Sequence, residues 1–600
     1  MKTAEKSLCI SSILGGALFS AVALLQGCSV IFRAEAAQCS TNGDCTARGP
    51  SFANTFCSAG TCKPNPVPDG GVDAGKDATV VMEASVDAGM EAEAEAGFRC
   101  TSNADCPVDA VHPKVMCDVG SGQCLQLQTD ECPVVLGDIS GDRAAPILVG
   151  AFATIPLATP DQHPSTLNYG LAIDEFGTQG GVPGWDPVRN MPGFRMPVAV
   201  VCNAEADVHV AMTHLVSDLH VPAVVAALDS VSLKTMFVND ALPNNVFVVN
   251  PFGADSTLTG LSPGTVMLWH MLGQPRDDAP AYAGVMPRIE ALLRSRGLTG
   301  PLRVAVVTAN ATVTLDLANA AQAVMTWNGV TVGQNQTDGN FLSVGIDSIL
   351  NGVSQNDINV DSQVTALLNF QPHVVVSFAS AEFVKLLQNY EIQLAQAGNT
   401  TKPKPFYLVG PYNMESQSLL AWIGPNGSVG EAKRTRVAGV GVAAASDTHV
   451  LDAYKIRFLN KYINGSSALG QENYYDAMYF AVYSVVGAGR LSTIGGTNVA
   501  QGMLRLLAGA PSYDMGPADM GTITNVLNAP NSNFGLFGTL GPPTFTLSTG
   551  ARIGEGSIYC VARNQSSGVT SYAYDVLRVT PAADGGTPDL GGTFPCYSGF

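Results

Sequence analysis

The sequence predicts an α/β protein of two doubly wound lobes preceded by a disulfide-rich tether. Three observations predict it. From Ala145 onwards, short unbroken apolar runs alternate with segments of helical period, as in βαβ units on a parallel sheet. The alternation comes in two sets of about four strands each, which two lobes accommodate more economically than one large sheet. Upstream of Ala145 the cysteines fall in a repeated pattern. Composition agrees: 600 residues are a prior of about four domains. Hydrophobic residues at 46% and charged residues at 14% supply a large core and rule out a wholly disordered chain. A net charge of -19, with 31 basic residues and no dense run of them, excludes a nucleic-acid backbone as partner.

At the N-terminus, Lys2 and Lys6 precede an uncharged apolar stretch from Leu8 to Leu25. At about 18 residues it could be mistaken for a membrane helix. Leu25-Gln26-Gly27-Cys28, which follows, resembles the lipobox of bacterial lipoproteins. Residues 1–27 are therefore expected to be a signal peptide and Cys28 the lipidation site, its several acyl chains exceeding what stable anchoring requires. A cut after Ala34-Glu35-Ala36 also satisfies a small-x-small rule but lies farther from the apolar core. No later segment has 18 uncharged apolar residues. The expected location is the cell envelope, lipid-anchored, on the periplasmic face or at the outer membrane and cell surface.

Of the 14 cysteines, Cys9 leaves with the signal. Cys39, Cys45, Cys57 and Cys62 form one segment, and Cys100, Cys106, Cys117 and Cys124 another with nearly the same spacing. Exported and too small for a core, each reads as a module of two disulfides, in any of three pairings. Zinc is disfavoured by the oxidising compartment, the absence of Cys-x2-Cys and the lack of nearby histidines other than His112. Parity suggests Cys132 with Cys202 and Cys560 with Cys596. Between the modules, residues 63–98 are rich in Pro, Gly, Ala and acids and read as a solvated linker. Residues 28–132 are thus expected to form the tether, and 133–600 the two-lobed body.

Within the body the first strands are APILVGAFATI, MPVAVVCNA, VPAVVAALD and NVFVVNPFG, with helices between them such as TLNYGLAIDEFGTQ. The second set is RVAVVTAN, HVVVSFAS, PFYLVGPYN and RVAGVGVAAA. LDAYKIRFLNKYI and YYDAMYFAVYSVVGAG are then helical with aromatic stripes that belong to a core. The expected partition is lobe 1 at about 145–300 and 446–530, and lobe 2 at about 301–445 plus the C-terminal segment.

YGLAIDEFGTQGGVPG, VPAVVAALDSVS, VVNPFGADSTLT, RVAVVTAN, QPHVVVSFASAE and YYDAMYFAVYSVVGAG, in that order, resemble the type I periplasmic binding proteins, among them the leucine/isoleucine/valine-binding proteins. The resemblance runs from about Pro146 to Pro581. It implies Rossmann-like lobes joined by crossing hinge strands and closing on a small-molecule ligand, with an ABC permease as partner. Ligands of such sheets sit outside the carboxyl ends of the strands. The loops there begin at Thr154, Asp229-Ser230, Phe252-Gly253, Asn310, Ser380, Pro411-Tyr412 and Ala445. Ser230 matches the family serine that holds an α-carboxylate; as plain chemistry it is equally a helix N-cap. Gly253 and Ala254 stand where the family has Ala-Thr, and Asn310 where it commonly has tyrosine, while Tyr412 can supply an aromatic lid. The expected ligand-binding set is Thr154, Asp229, Ser230, Gly253, Ala254, Asn310 and Tyr412.

Enzyme readings find no constellation. FLSVG around Ser343 lacks the first glycine of a nucleophile elbow. GVGVAAA, from Gly439 to Ala445, ends a late strand and has no acid some twenty residues on. His209, His214 and His220 are expected on one helix, the first two offset by about 140° at 100° per residue, so they cannot share a metal. No catalytic residue, metal or cofactor is expected. The functional expectation is a solute-binding lipoprotein serving an importer, with a surface-displayed sensor or interaction protein of the same fold as the alternative.

Overall fold

The computed structural model describes residues 55–58, 61–64 and 99–578, the last span interrupted by short segments, of which the longest are 140–145, 157–161, 443–447 and 463–470. The chain divides into two units, Met1–Ala92 and Glu93–Phe600. In the first, antiparallel strands Thr55–Ser58 and Thr61–Pro64 set Cys57 opposite Cys62. In the second, Val115–Asp118 and Gln123–Gln126 set Cys117 opposite Cys124 in the same register. Cys28, Cys39, Cys45 and Cys596 lie outside the described residues.

The second cysteine repeat is bridged Cys100–Cys117 and Cys106–Cys124. Its grouped sulfurs are therefore not thiolates able to ligate a metal. The expected tether ending at residue 132 is corrected here, because this repeat packs onto the body. Met116 and Leu127 join the core of the first lobe, His214 Nε2 lies 3.4 Å from the Leu127 carbonyl, and Cys132 is bonded to Cys202. That last disulfide spans 70 residues, so its chain-entropy contribution is large. Replacing Cys132 and Cys202 together by serine is expected to lower stability by about 2–4 kcal/mol in urea titrations. Cys560 is also disulfide-bonded.

The body starts with β1 (Val134–Leu136), β2 (Ile147–Ala153), α1 (Pro164–Thr178), β3 (Pro197–Asn203), α2 (Val208–Thr213), β4 (Ala223–Ala226), α3 (Ser230–Met236), β5 (Phe247–Asn250) and β6 (Leu268–His270). The chain crosses to α4 (Ala279–Ser295), β7 (Val304–Ala309), α5 (Thr312–Val324), β8 (Phe341–Ile346), α6 (Asp361–Phe370), β9 (Val374–Phe378), α7 (Ala381–Leu394), β10 (Phe406–Val409) and β11 (Val437–Val442). It returns for α8 (His449–Lys461), α9 (Glu472–Gly487), α10 (Gly496–Leu504), β12 (Phe545–Thr546) and β13 (Ala551–Arg552), then crosses again to β14 (Gly556–Ser566) and β15 (Val569–Arg578).

Sheet order is β12-β13-β6-β5-β4-β2-β3-β1 in lobe 1 and β8-β7-β9-β10-β11-β14-β15 in lobe 2. Strands β2 to β6 and β7 to β11 pair in parallel. Helices cover both faces, which is why β2, β4 and β9 are buried along their whole length and read as short uncharged runs, apolar but for Ser377. The two doubly wound lobes, joined by segments that cross between them, are the arrangement implied by the sequence.

Two expected boundaries shift. Helix α4 packs on lobe 2, where Tyr282, Val285 and Ile289 join β7 and β9 in one core, so lobe 1 ends near Gly273 rather than 300. Lobe 1 then continues through β12 and β13 to Arg552 instead of 530. The three histidines are not on one helix either. His209 is in α2, His214 opens a π-helical segment ending at Asp218, and His220 lies beyond it at φ 55°. His209 and His214 each face an aspartate, Asp240 at 2.5 Å and Asp218 at 3.0 Å. No helix among the described residues is long and apolar enough to cross a membrane.

Candidate functional site

In lobe 1, β2 is followed in space by β3 on one side and β4 on the other; in lobe 2, β7 stands likewise between β8 and β9. Each lobe therefore reverses strand order at one point, where the loops diverge and leave a crevice at the carboxyl ends. Thr154 follows β2 and Asp229-Ser230 follow β4, so these expected residues flank the lobe 1 crevice. Asn310 follows β7 and Ser380 follows β9 in lobe 2. The backbone N–H of Ser256, in the loop after β5, donates to Asp316 Oδ2 in the second turn of α5 at 2.8 Å. That bond brings carboxyl-end loops of the two lobes face to face.

Several donors of these loops are already engaged. Asp229, not Ser230, is the N-cap of α3, and its Oδ1 accepts from Val231 N at 2.9 Å and Ser232 N at 3.1 Å. Ser230 is the first helical residue. Ala254 is buried, and its N–H donates to the Gly273 carbonyl at 2.7 Å, so it is a wall rather than a donor. A Cβ on Gly253 would stand 2.9 Å from that same carbonyl, which accounts for glycine there. Thr154 and Asn310 are exposed. Tyr412 and Ala445 lie outside the described residues.

The structure adds residues the sequence reading did not single out. His270 ends β6 fully buried, with Nδ1 3.0 Å from Asn250 Nδ2. Burial holds its pKa down at about 3, against the pull of Asp255, so it is neutral. Asp255, 1% exposed, accepts at Oδ1 from Thr257 N and Oγ1 at 2.9 and 2.6 Å, while its Oδ2 has no partner. In lobe 2, Glu382 Oε1 lies 3.4 Å from Ser348 Oγ with Oε2 unpartnered. Asn413 donates to the Ala379 carbonyl at 2.7 Å with Oδ1 unpartnered. Asp316 had no signal in sequence, since its partner is 60 residues away.

A cavity of about 470 Å³ also opens on lobe 2, lined from α5, β8 and α6 by Asn310, Asn319, Gln322, Ser343 and Gln363 among others. Of the expected ligand-binding set it contains Asn310 alone. Ser343 is there an exposed residue of an edge strand.

The hinge is built tightly. Gly273 at φ 82° leaves β6, and a Cβ on it would meet Asp277 Oδ2, the Arg552 carbonyl and Gly554 N within 3.0 Å. The outgoing and returning crossovers thus touch at a position only glycine fills. Asp277 Oδ2 accepts from Gln274 N at 2.8 Å and from Gly554 N at 3.4 Å. Asp278 beside it is buried, and desolvation, reinforced by Asp277, raises its pKa from 3.8 to about 8. Between those values the folded state holds a proton that the unfolded state has released, so this group makes stability fall as pH rises from about 4 to 8. Subtracting the urea midpoints of Asp278→Asn from those of the wild type, measured between pH 4.5 and 8.5, should reveal that slope. No difference in slope would place Asp278 at an ordinary pKa.

No protein-family model matches the chain, and no curated protein matches it. Among solved structures, it is similar to an ABC transporter substrate-binding protein from Desulfitobacterium hafniense in complex with Leu. The TM-score is 0.44 at 14% identity, covering 72% of this chain and 100% of that one. A leucine-binding protein from Thermotoga maritima gives 0.44 at 12% identity, covering 72% and 99%. A solute-binding protein from R. palustris in complex with benzoate gives 0.42 at 14%, covering 71% and 95%.

Proposed function

We propose that this chain is a solute-binding protein of the cell envelope, held by lipid at Cys28, which closes its two lobes on a small polar ligand. The ligand is an amino acid or a related compound, and the task is delivery to the permease of an ABC importer. One observation carries this reading: both lobes direct their strand-order reversals into one cleft, spanned by the Ser256–Asp316 bond and backed by the crossovers at Gly273 and Gly554. Hinged closure around such a site buries the ligand and presents a surface that differs between open and closed states. Thr154, Ser230 and Asn310 offer side-chain hydrogen bonds to the ligand, Asp229 fixes the start of α3, and Gly253 and Ala254 form the wall against the hinge. Tyr412 is the proposed aromatic cover.

The test is a thermal-shift screen of the purified protein against amino acids, amines, peptides, sugars and organic acids. A ligand present at 100 times its Kd should add about 2.7 kcal/mol, a shift of several degrees. Silence across the whole panel from folded protein would sink the solute-binding reading and favour a surface sensor or interaction protein.

A further inference from the structure

We infer that the cleft takes a primary-amine cation without a free carboxylate, not an α-amino acid; this rests on the reading of the cleft as a solute site. The first ground is occupancy of the donors. Of the backbone N–H groups that could meet a ligand carboxylate, those of Val231 and Ser232 at the start of α3 are held by Asp229, while that of Ser256 is held by Asp316 from the opposite lobe. The Ala254 N–H belongs to the hinge. Side-chain carboxylates of the protein therefore already occupy the N–H groups of Val231, Ser232 and Ser256.

The second ground is charge. The described loops that follow β2, β3, β4, β5, β7, β8, β9 and β10 carry Glu205, Asp207, Asp229, Asp255, Asp347 and Asp357, and neither lysine nor arginine. His163, at the lobe 1 crevice, has its pKa lowered by burial against the pull of Glu205. The crossover after β6 adds Arg276 but also Asp277 and Asp278, so an incoming anion would meet an excess of acids, whereas a cation would be favoured.

The third ground is independent of the other two. Three deeply buried acceptors near the strand ends lack a donor: Asp255 Oδ2 in the loop after β5, Glu382 Oε2 in the first turn of α7, and Asn413 Oδ1 after β10. Buried polar atoms are nearly always hydrogen-bonded. An ammonium group brings three donors and no acceptor, the complement of this inventory.

The experiment pairs amino acids with their decarboxylated counterparts in calorimetry on the purified full chain: leucine with isoamylamine, ornithine with putrescine, phenylalanine with phenethylamine. At least one amine is expected to bind ten-fold or more tightly than its parent. Asp316→Ala, which releases the Ser256 N–H, should shrink that ratio, an effect a merely structural role would not produce. A parent that binds as well as its amine overturns the inference while leaving the solute-binding reading intact, and so does an unchanged ratio in the variant. If no amine binds, the inference falls, and the broader thermal-shift panel decides separately whether the cleft binds solutes at all.

Discussion

Glu175→Ala is expected to destabilise lobe 1 by about 3–5 kcal/mol, the cost of removing one member of a buried ion pair and leaving the other. Glu175, on α1 and 5% exposed, accepts at Oε1 from Arg457 Nε at 2.7 Å and at Oε2 from the hydroxyls of Tyr475 and Tyr479 at 2.6 and 2.5 Å. Arg457 Nη2 also donates to the Tyr475 hydroxyl at 3.0 Å. One carboxylate thus joins α1, α8 and α9, which lie nearly 300 residues apart in the chain. It is set in an aromatic layer, with Phe176 and Tyr479 ring centroids 4.7 Å apart. Alanine would leave a guanidinium and two phenolic hydroxyls without their acceptor, each hydroxyl costing about 1–3 kcal/mol if it stays buried. The arginine side chain is a quarter exposed, so water recovers part of the loss and the lower end of the range is expected. Glu175→Gln keeps the shape and one acceptor and should cost clearly less. Urea unfolding followed by tyrosine fluorescence measures both; a loss under 1 kcal/mol for Glu175→Ala would show the network to be dispensable.

Strand content was legible because β2, β3, β7 and β9 are covered on both faces, so that burial alone writes short uncharged runs. Strands β12 and β13, two residues each, exist because β13 lies beside β6 at His270; neither has a local pattern to read. The membership of α4 was illegible for a related reason: its apolar stripe announces a helix but not which sheet it will cover. In the second cysteine repeat, spacing revealed the module, while its docking depends on Met116 and Leu127, ordinary apolar residues. The loops of the cleft followed from strand polarity, a rule local to each βα unit. Which donors there are already occupied did not follow. The N-cap expected at Ser230 falls one residue earlier at Asp229, while Asp316 acts across the cleft and Asp255 through burial, both properties of the assembled lobes.

A second carboxylate on α9 holds the far end of lobe 1 to the hinge, and Asp476→Ala is expected to cost about 3–5 kcal/mol. Asp476 is fully buried; its Oδ1 accepts from Thr539 N and Oγ1 at 3.0 and 2.8 Å, and its Oδ2 from Leu540 N at 3.2 Å. Arg552 Nη1 stands 3.8 Å from Oδ2, while Nη2 donates to the carbonyls of Gly541 and Pro542 at 2.8 and 3.0 Å. Burial raises the pKa of Asp476 even with Arg552 beside it, and burial lowers that of Arg552 to about 10. Both directions say that desolvation outweighs the ion pair, while an asparagine in its place keeps an acceptor for the Thr539 donors. Asp476→Asn, which can still accept from Thr539, is therefore expected to lose only about 1–2 kcal/mol, near the worth of a single hydrogen bond to a charged group. Equal losses for alanine and asparagine would instead make the charge decisive. Arg552 ends β13 immediately before the crossover to β14, so the same variants should speed amide exchange at residues 551–556 ahead of the rest of lobe 1. Loosening confined to 539–541 would mean that Asp476 anchors its own loop and leaves the hinge to Gly273 and Asp277.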